Sequence, residues 1–297
     1  MDASIFDAFR QAAQQQNLQV LGVRAETTDG ETAFYDFAPS VRRNVWSCAK
    51  TFTALVVGIC VDKGFLAVGD RVLDFFPQYA ATAAPGSDII TIRDMLHMAP
   101  GKTALCRQLE NQPGADFLDH FMAAPMVAAP GEKFFYSSLY TYTLGRIVEK
   151  VAGQHFYDFA VANLLAPLGI ESPVWKNCPL GHTHCAKELW LTTEELARLG
   201  TLFLHDGIYK GRRIVSSAYL HDMICDVFTA PCMDTPDPET QVAYGYQLWR
   251  GIRPGLYRAY GRGGNFCIIM PDRGLAVTVT ADCSGNDHDI ARLAELI

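Results

Sequence analysis

A strand-rich opening, a helix-rich middle and a strand-rich close predict an α/β fold of the α+β type. One antiparallel sheet is built from both chain ends and flanked by helices, with a mostly helical inserted domain. Residues 4–15 lead in as a short amphipathic helix with Ile5, Phe6 and Phe9 on one side. Residues 18–25 and 32–37 read as strands. Asp29-Gly30 between them is a hairpin signal, because glycine accepts the positive φ of a tight turn. Residues 47–63 read as a buried helix that Gly64 ends.

Helical patterns joined by Pro- and Gly-rich loops then run to about residue 190. Tyr140, Leu144, Ile147, Val148 and Val151 share one helical face, and Gly153 follows. Thr192 and Glu195 have capping-box spacing ahead of Leu196, Leu199, Leu202 and Phe203. Residues 244–250, 256–260, 266–270 and 275–281 read as strands, punctuated by Pro254-Gly255 and Pro271-Asp272-Arg273-Gly274. Asp282 and Asp287 read as solvated loop residues ahead of a final helix from about Asp289. The expected division is a sheet domain of residues 1–65 and 190–297 and a helical domain of residues 66–189. The ligand cleft is expected between them.

Composition narrows the function classes. At 49% hydrophobic and 19% charged, the 297-residue chain is too apolar for a disordered one. Its 25 Lys plus Arg against 32 Asp plus Glu leave a net charge of -7, which excludes a general polyanion binder. No basic stretch followed by an apolar run opens the chain. The apolar run 54–61 is far short of the roughly 20 residues of a membrane span. Nine cysteines, an odd number, fit no disulfide framework. The expectation is a soluble, reduced, cytoplasmic protein with a small-molecule partner, bound to neither nucleic acid nor membrane.

Three short motifs carry chemistry. In Ser47-Cys48-Ala49-Lys50, positions i and i+3 share a helix face, so an amine stands beside a hydroxyl at a helix N-terminus. Serine is a poor nucleophile until a base takes its proton, and burial favours the neutral, basic form of a lysine. Tyr136-Ser137-Ser138 opens a helix after a Pro130-Gly131 turn, where a tyrosine can relay protons. Arg262-Gly263-Gly264-Asn265 stands at a strand start, where two glycines allow close approach to the backbone. The plain alternatives are a capping serine with a surface lysine, a core tyrosine, and a hairpin with a surface arginine.

In order and spacing these motifs resemble the serine β-lactamase and penicillin-binding-protein superfamily, in its class C β-lactamase-like branch of esterases and D,D-peptidases. That family carries Ser-x-x-Lys, then Tyr-x-Asn, then Lys- or His-x-Gly. Here the motifs stand at Ser47, Tyr136 and Arg262. The run from Gly64 to Asp70, the segment Thr91 to His97, Pro167-Leu168-Gly169 and Tyr244-Gly245-Tyr246 fit as well. The resemblance implies a β-lactamase/transpeptidase-like fold and an acyl-enzyme on Ser47, with Lys50 and Tyr136 sharing the general-base work. It also implies an oxyanion hole from the backbone N–H groups of Ser47 and Asn265, and no metal or organic cofactor. Ser138, Arg262, Gly263, Gly264 and Asn265 are the expected substrate contacts.

Departures from the family pattern bear on the substrate. Ser138 replaces the motif asparagine, so an amide becomes a hydroxyl with a single donor. Arg262 replaces a lysine or histidine, and a guanidinium can hold a carboxylate bidentately. The usual Ser-Gly after His97 is Pro100-Gly101. Cys178, His182, His184 and Cys185 cluster within a short stretch, but without the second ligand pair of common zinc sites, and no metal is expected there. His184 is a further candidate substrate contact. Cys48 and Trp46 read as core residues beside the nucleophile. The expected function is hydrolysis of an ester or amide bond of a small substrate or short peptide, carboxylate-bearing ones included. The alternatives are a β-lactamase or D,D-peptidase-like enzyme, and a non-catalytic binding or sensor module on the same fold.

Overall fold

A computed structural model describes residues 1–105, 109, 112–229, 242–283, 287–294 and 297. The chain opens with α1 (Asp7–Gln15), then β1 (Val20–Thr27), β2 (Thr32–Asp36), β3 (Arg43–Asn44) and α2 (Ala49–Asp62). The helical middle holds α3 (Ile92–Leu96), α4 (Phe117–Ala123), α5 (Ser138–Ala152) and α6 (Phe156–Ala160). Next come β4 (Val174–Trp175), β5 (Leu189–Leu191), α7 (Thr193–Leu204), β6 (Ile208–Tyr209), β7 (Arg212–Arg213) and α8 (Ser217–Cys225). The close is β8 (Ala243–Tyr244), β9 (Trp249–Arg250), β10 (Tyr257–Gly261), β11 (Asn265–Met270), β12 (Leu275–Ala281) and α9 (Asp287–Ala294).

Both ends build one seven-stranded sheet in the order β2-β1-β12-β11-β10-β9-β8, antiparallel throughout. The two ends meet where β1 pairs with β12, with Val23 opposite Val279. β11 and β12 are buried at every position, because helices cover both faces. Phe266, Ile268, Val277 and Val279 join Phe6 and Phe9 near α1 and Ile290 of α9. Cys267 and Ile269 join the larger core around α2 and α5. α7 reaches the sheet closely enough for Thr193 Oγ1 to bond Thr280 Oγ1 at 2.6 Å.

Two expected elements differ. Residues 244–250 are not one strand: Gly245 to Leu248 turn the chain back, so that β8 pairs with β9. The reason is packing, since Tyr246 and Gln247 are drawn inward, and Gln247 takes a left-handed φ of 59° to get there. Asp287 belongs to α9 rather than to the loop before it. No helix among the described residues is long and apolar enough to cross a membrane.

Sheet and middle are tied by β3, β5 and β4, which form a small second sheet. Arg42, just before β3, clasps Glu195 of α7 through Nε at 2.9 Å and Nη2 at 2.5 Å, and its other N–H groups reach the carbonyls of Glu171 and Ser172. Glu195 also closes the capping box with Thr192. Burial alone would raise the Glu195 carboxyl, but the bonds from Arg42 and the Thr192 N–H outweigh it and hold its pKa below the usual range. The clasp therefore contributes fully above the carboxylate's unfolded pKa and is lost as pH falls through the lower folded value. We expect Glu195→Gln to cost about 1–2 kcal/mol at pH 7, a figure discounted for the partly exposed arginine. Thermal melts should show the gap between wild type and variant closing in acid.

Candidate active site

Ser47 sits in a single 3-10 turn, Trp46–Cys48, that runs straight into α2. Trp46 enters that turn at φ 50°, a conformation that costs a bulky residue about 1–3 kcal/mol. Asn44 Oδ1 accepts the Trp46 N–H at 2.9 Å and holds the bend. The strained corner delivers the Ser47 hydroxyl half-exposed above a helix whose next residues are all buried.

Lys50, one turn on, is 1% exposed. Its Nζ lies at hydrogen-bond distance from Ser47 Oγ at 3.1 Å, Ser138 Oγ at 3.3 Å and the Ala186 carbonyl at 3.0 Å. Ser138 opens α5, while its neighbour Ser137 caps that helix and donates to the Ala104 carbonyl. Ala186 is held from the other side, since Thr53 of α2 donates to the adjoining Cys185 carbonyl at 2.8 Å. The Ala186 contact had no sequence signal, because it is a backbone carbonyl in an irregular loop.

Tyr136 completes the group. Its ring lies 4.9 Å from Lys50 Nζ and stacks on Trp249 at 5.6 Å, with Phe134 and Tyr244 around it. Burial raises the phenol's pKa, and hydrogen bonding to Ser47 and Tyr244 only partly opposes the rise. Tyr136 is therefore a neutral hydroxyl at neutral pH, fit to pass a proton on rather than to hold a negative charge. Cys48, beside the nucleophile, is fully buried. Burial pushes its thiol well up, so it behaves as a small apolar residue.

The third motif splits. Arg262 is exposed and lies over the Trp46 ring at 5.2 Å, on the rim beside Ser47. Gly263 and Gly264 pack against the end of β12 and against α9. The Gly263 carbonyl accepts the Cys283 N–H, and a Cβ on Gly264 would fall 2.5 Å from Ile290 of α9. Asn265 pairs with Gly261 across the hairpin, turns its amide back to the Arg262 carbonyl at 2.7 Å, and accepts the Cys48 thiol on its own carbonyl.

Gly261 also touches the nucleophile's turn, a contact that sequence reasoning missed. A Cβ there would stand 2.1 Å from the Val45 carbonyl oxygen and 3.3 Å from Cys48 N. Only glycine lets the end of β10 lie against the Ser47 turn. Its signal was the glycine just before the Arg-Gly-Gly run, hidden by two more conspicuous glycines.

The Cys178, His182, His184 and Cys185 stretch does not converge. Cys178 meets the Tyr142 hydroxyl, Cys185 packs at Gly145, His184 lies near the Phe117 ring, and His182 Nδ1 is 2.8 Å from Glu149. Glu149, His155 and His182 do approach one another. However, His155 Nδ1 accepts the Tyr157 N–H, which leaves Nε2 as the protonated nitrogen, donating to the Gly181 carbonyl at 2.9 Å. Arg146 and the Phe156 N–H also engage the Glu149 carboxylate. The cluster is a polar network around Glu149, in which Arg146 Nε and His182 Nδ1 lie within ion-pair distance without a well-directed hydrogen bond. The sequence leaves specificity to loops within 98–128, 170–190 and 226–242, of which residues 106–108, 110–111 and 230–241 lie outside the described residues.

A family model described as Beta-lactamase matches residues 9–297. The chain is 28% identical over 271 residues to penicillin-binding protein 4 of Amycolatopsis lactamdurans, covering 78% of this chain and 70% of that one. It is 24% identical over 204 residues to 6-aminohexanoate-dimer hydrolase of Paenarthrobacter ureafaciens, covering 63% and 52%. Among solved structures, EstCE1, a hydrolase with promiscuous acyltransferase activity, superposes with a TM-score of 0.77 at 13% identity. That match covers 99% of this chain and 98% of the other.

Proposed function

The chain belongs to the beta-lactamase family and is a serine hydrolase, and from that premise we propose that it cleaves an ester or amide bond of a small substrate through an acyl-serine on Ser47. The observation that carries this reading is the buried amine of Lys50 at 3.1 Å from Ser47 Oγ, with Ser138 Oγ and the Ala186 carbonyl also at hydrogen-bond range. Burying a cationic amine that way is costly, and a neutral amine there is a base aimed at the hydroxyl. A pure binding module has no use for the arrangement.

In this mechanism Lys50 takes the Ser47 proton as Ser47 Oγ attacks the carbonyl. The oxyanion is received by the backbone N–H groups of Ser47 and of Arg262, the residue that follows Gly261 at the close approach. The Asn265 N–H is the other candidate for the second donor, since the Asn265 carbonyl accepts the Cys48 thiol beside the nucleophile. The neutral Tyr136 hydroxyl passes its proton to the leaving group as it takes from Lys50 the proton that came from Ser47; water then attacks the acyl carbonyl, gives a proton to Lys50, and Ser47 Oγ leaves with that proton as the acid is released. The cleft we assign lies between the sheet and residues 66–189. No cofactor is called for by these steps.

Ser138 in place of an asparagine favours ester or simple amide substrates over ligands that need side-chain amide recognition. The relatives that act on amides, such as the 6-aminohexanoate-dimer hydrolase, keep small amides in view. Arg262, poised on Trp46 at the rim, favours substrates bearing a carboxylate. For a p-nitrophenyl ester with a terminal carboxylate, we expect Arg262→Gln to lower kcat/KM about five- to tenfold relative to the neutral ester, a modest effect because the guanidinium is solvated. An unchanged ratio would assign the arginine to the surface.

A further inference from the structure

We propose that Gln247 is a positioning residue that locks the helices bearing Lys50 and Ser138 to the wall behind Tyr136; this rests on the Ser47–Lys50 reading above. Gln247 is 2% exposed and held at φ 59° between β8 and β9. Its backbone carbonyl accepts Thr51 Oγ1 of α2 at 2.8 Å, one residue past Lys50. Its side-chain oxygen accepts Thr141 Oγ1 of α5 at 2.6 Å, one turn past Ser138.

Its amide nitrogen donates to the carbonyls of Leu96 at 2.7 Å and Met95 at 3.2 Å, at the end of α3, and its backbone N–H also goes to Leu96. That end of α3 leads to Met98, whose carbonyl receives the Phe135 N–H at 2.8 Å, next to Tyr136. On either side of Gln247 along the chain stand Tyr244 and Trp249, the rings against Tyr136. Segments bearing three catalytic candidates thus converge on one buried amide. Thr51, Thr141 and Gln247 are all buried, so each bond is shielded from competing water. Gln247 touches none of the reacting atoms; it acts by holding Lys50, Ser138 and Tyr136 in register.

The test compares wild type, Ser47→Ala, Gln247→Met, Thr141→Val and the Gln247→Met/Thr141→Val double variant on p-nitrophenyl butyrate, with thermal melts. Gln247→Met keeps the volume and removes the side-chain bonds to Thr141 and to the Met95 and Leu96 carbonyls, leaving the backbone bonds to Thr51 and Leu96 in place. We expect kcat to fall about ten- to a hundredfold with KM within about twofold, because a small misplacement costs the chemical step and not binding. In the double variant Thr141 no longer buries an unmet hydroxyl, so the melting temperature should rise towards wild type while kcat stays low. A merely structural glutamine predicts that kcat returns with the melting temperature, and that result overturns the proposal, as does wild-type kcat in Gln247→Met. Should Gln247→Met fail to fold, Thr141→Val alone cuts the side-chain arm to α5 and must lower kcat at least about threefold; wild-type kcat there counts against it equally. Undiminished turnover by Ser47→Ala would remove the serine reading itself, and this proposal with it.

Discussion

Ser47→Ala is expected to abolish turnover of activated esters while leaving the fold intact. Loss of a serine nucleophile from a base-assisted site lowers kcat by about 10⁴–10⁶. The hydroxyl is half-exposed and its contacts are with Lys50 and Tyr136, so its removal leaves no cavity of consequence in the core. The measurement is an intact-protein mass spectrum after exposure to a slow acylating agent, a β-lactam among them, with the variant beside the wild type. One acyl group on the wild type and none on the variant locates the nucleophile. An adduct with a β-lactam in particular moves the substrate towards the penicillin-recognising side of the family. If the wild type carries no adduct and turns over no ester, the scaffold is a binding module, and the buried lysine must then be explained as a structural strut. Adducts of equal mass on both proteins would place the reactive group elsewhere, and Cys48, buried with its thiol pushed up, is a poor candidate for it.

Local features were legible in the sequence because local physics produces them. Ser47 and Lys50 share a face through helix geometry alone, and the Thr192–Glu195 capping box is formed by the residues that signal it. The β1–β2 hairpin turns at Gly30, which takes the positive φ that its sequence promised. Features set by distant packing were not legible. The 244–250 segment alternates well enough to be read as one strand, but Gln247 has partners on α2, α3 and α5, and meeting them requires a turn. The contact of Gly261 with the Ser47 turn was missed for a similar reason. Gly264 packs on Ile290 of α9, while Gly261 lies against Val45 and Cys48, and only the tertiary contacts of the hairpin distinguish the two positions.

That distinction yields the second large effect, and a control with it. Gly261 has no left-handed φ, so alanine is acceptable to its backbone and the whole penalty comes from space. The obstacle is backbone: the Val45 carbonyl at 2.1 Å and Cys48 N at 3.3 Å cannot swing aside as a side chain would. β10 must back away from the Ser47 turn by an appreciable fraction of an ångström. If the N–H that follows Gly261 is the second oxyanion donor, Gly261→Ala withdraws it from the developing charge. We expect kcat to fall about 10²–10³-fold, the scale of a lost oxyanion donor, with a stability loss of about 1–3 kcal/mol from overpacking. Gly264→Ala is the matched comparison, since it combines a φ of 91° with a Cβ 2.5 Å from Ile290 of α9 rather than from the Ser47 turn. It should destabilise at least as much and yet leave kcat per folded molecule near wild type. Equal kinetic losses in the two variants would mean that the hairpin acts as one unit and that Gly261 has no special place at the nucleophile. A loss confined to Gly261→Ala would fix the third edge of the site at the end of β10, where the chain comes close enough to Ser47 for a backbone N–H to share its oxyanion.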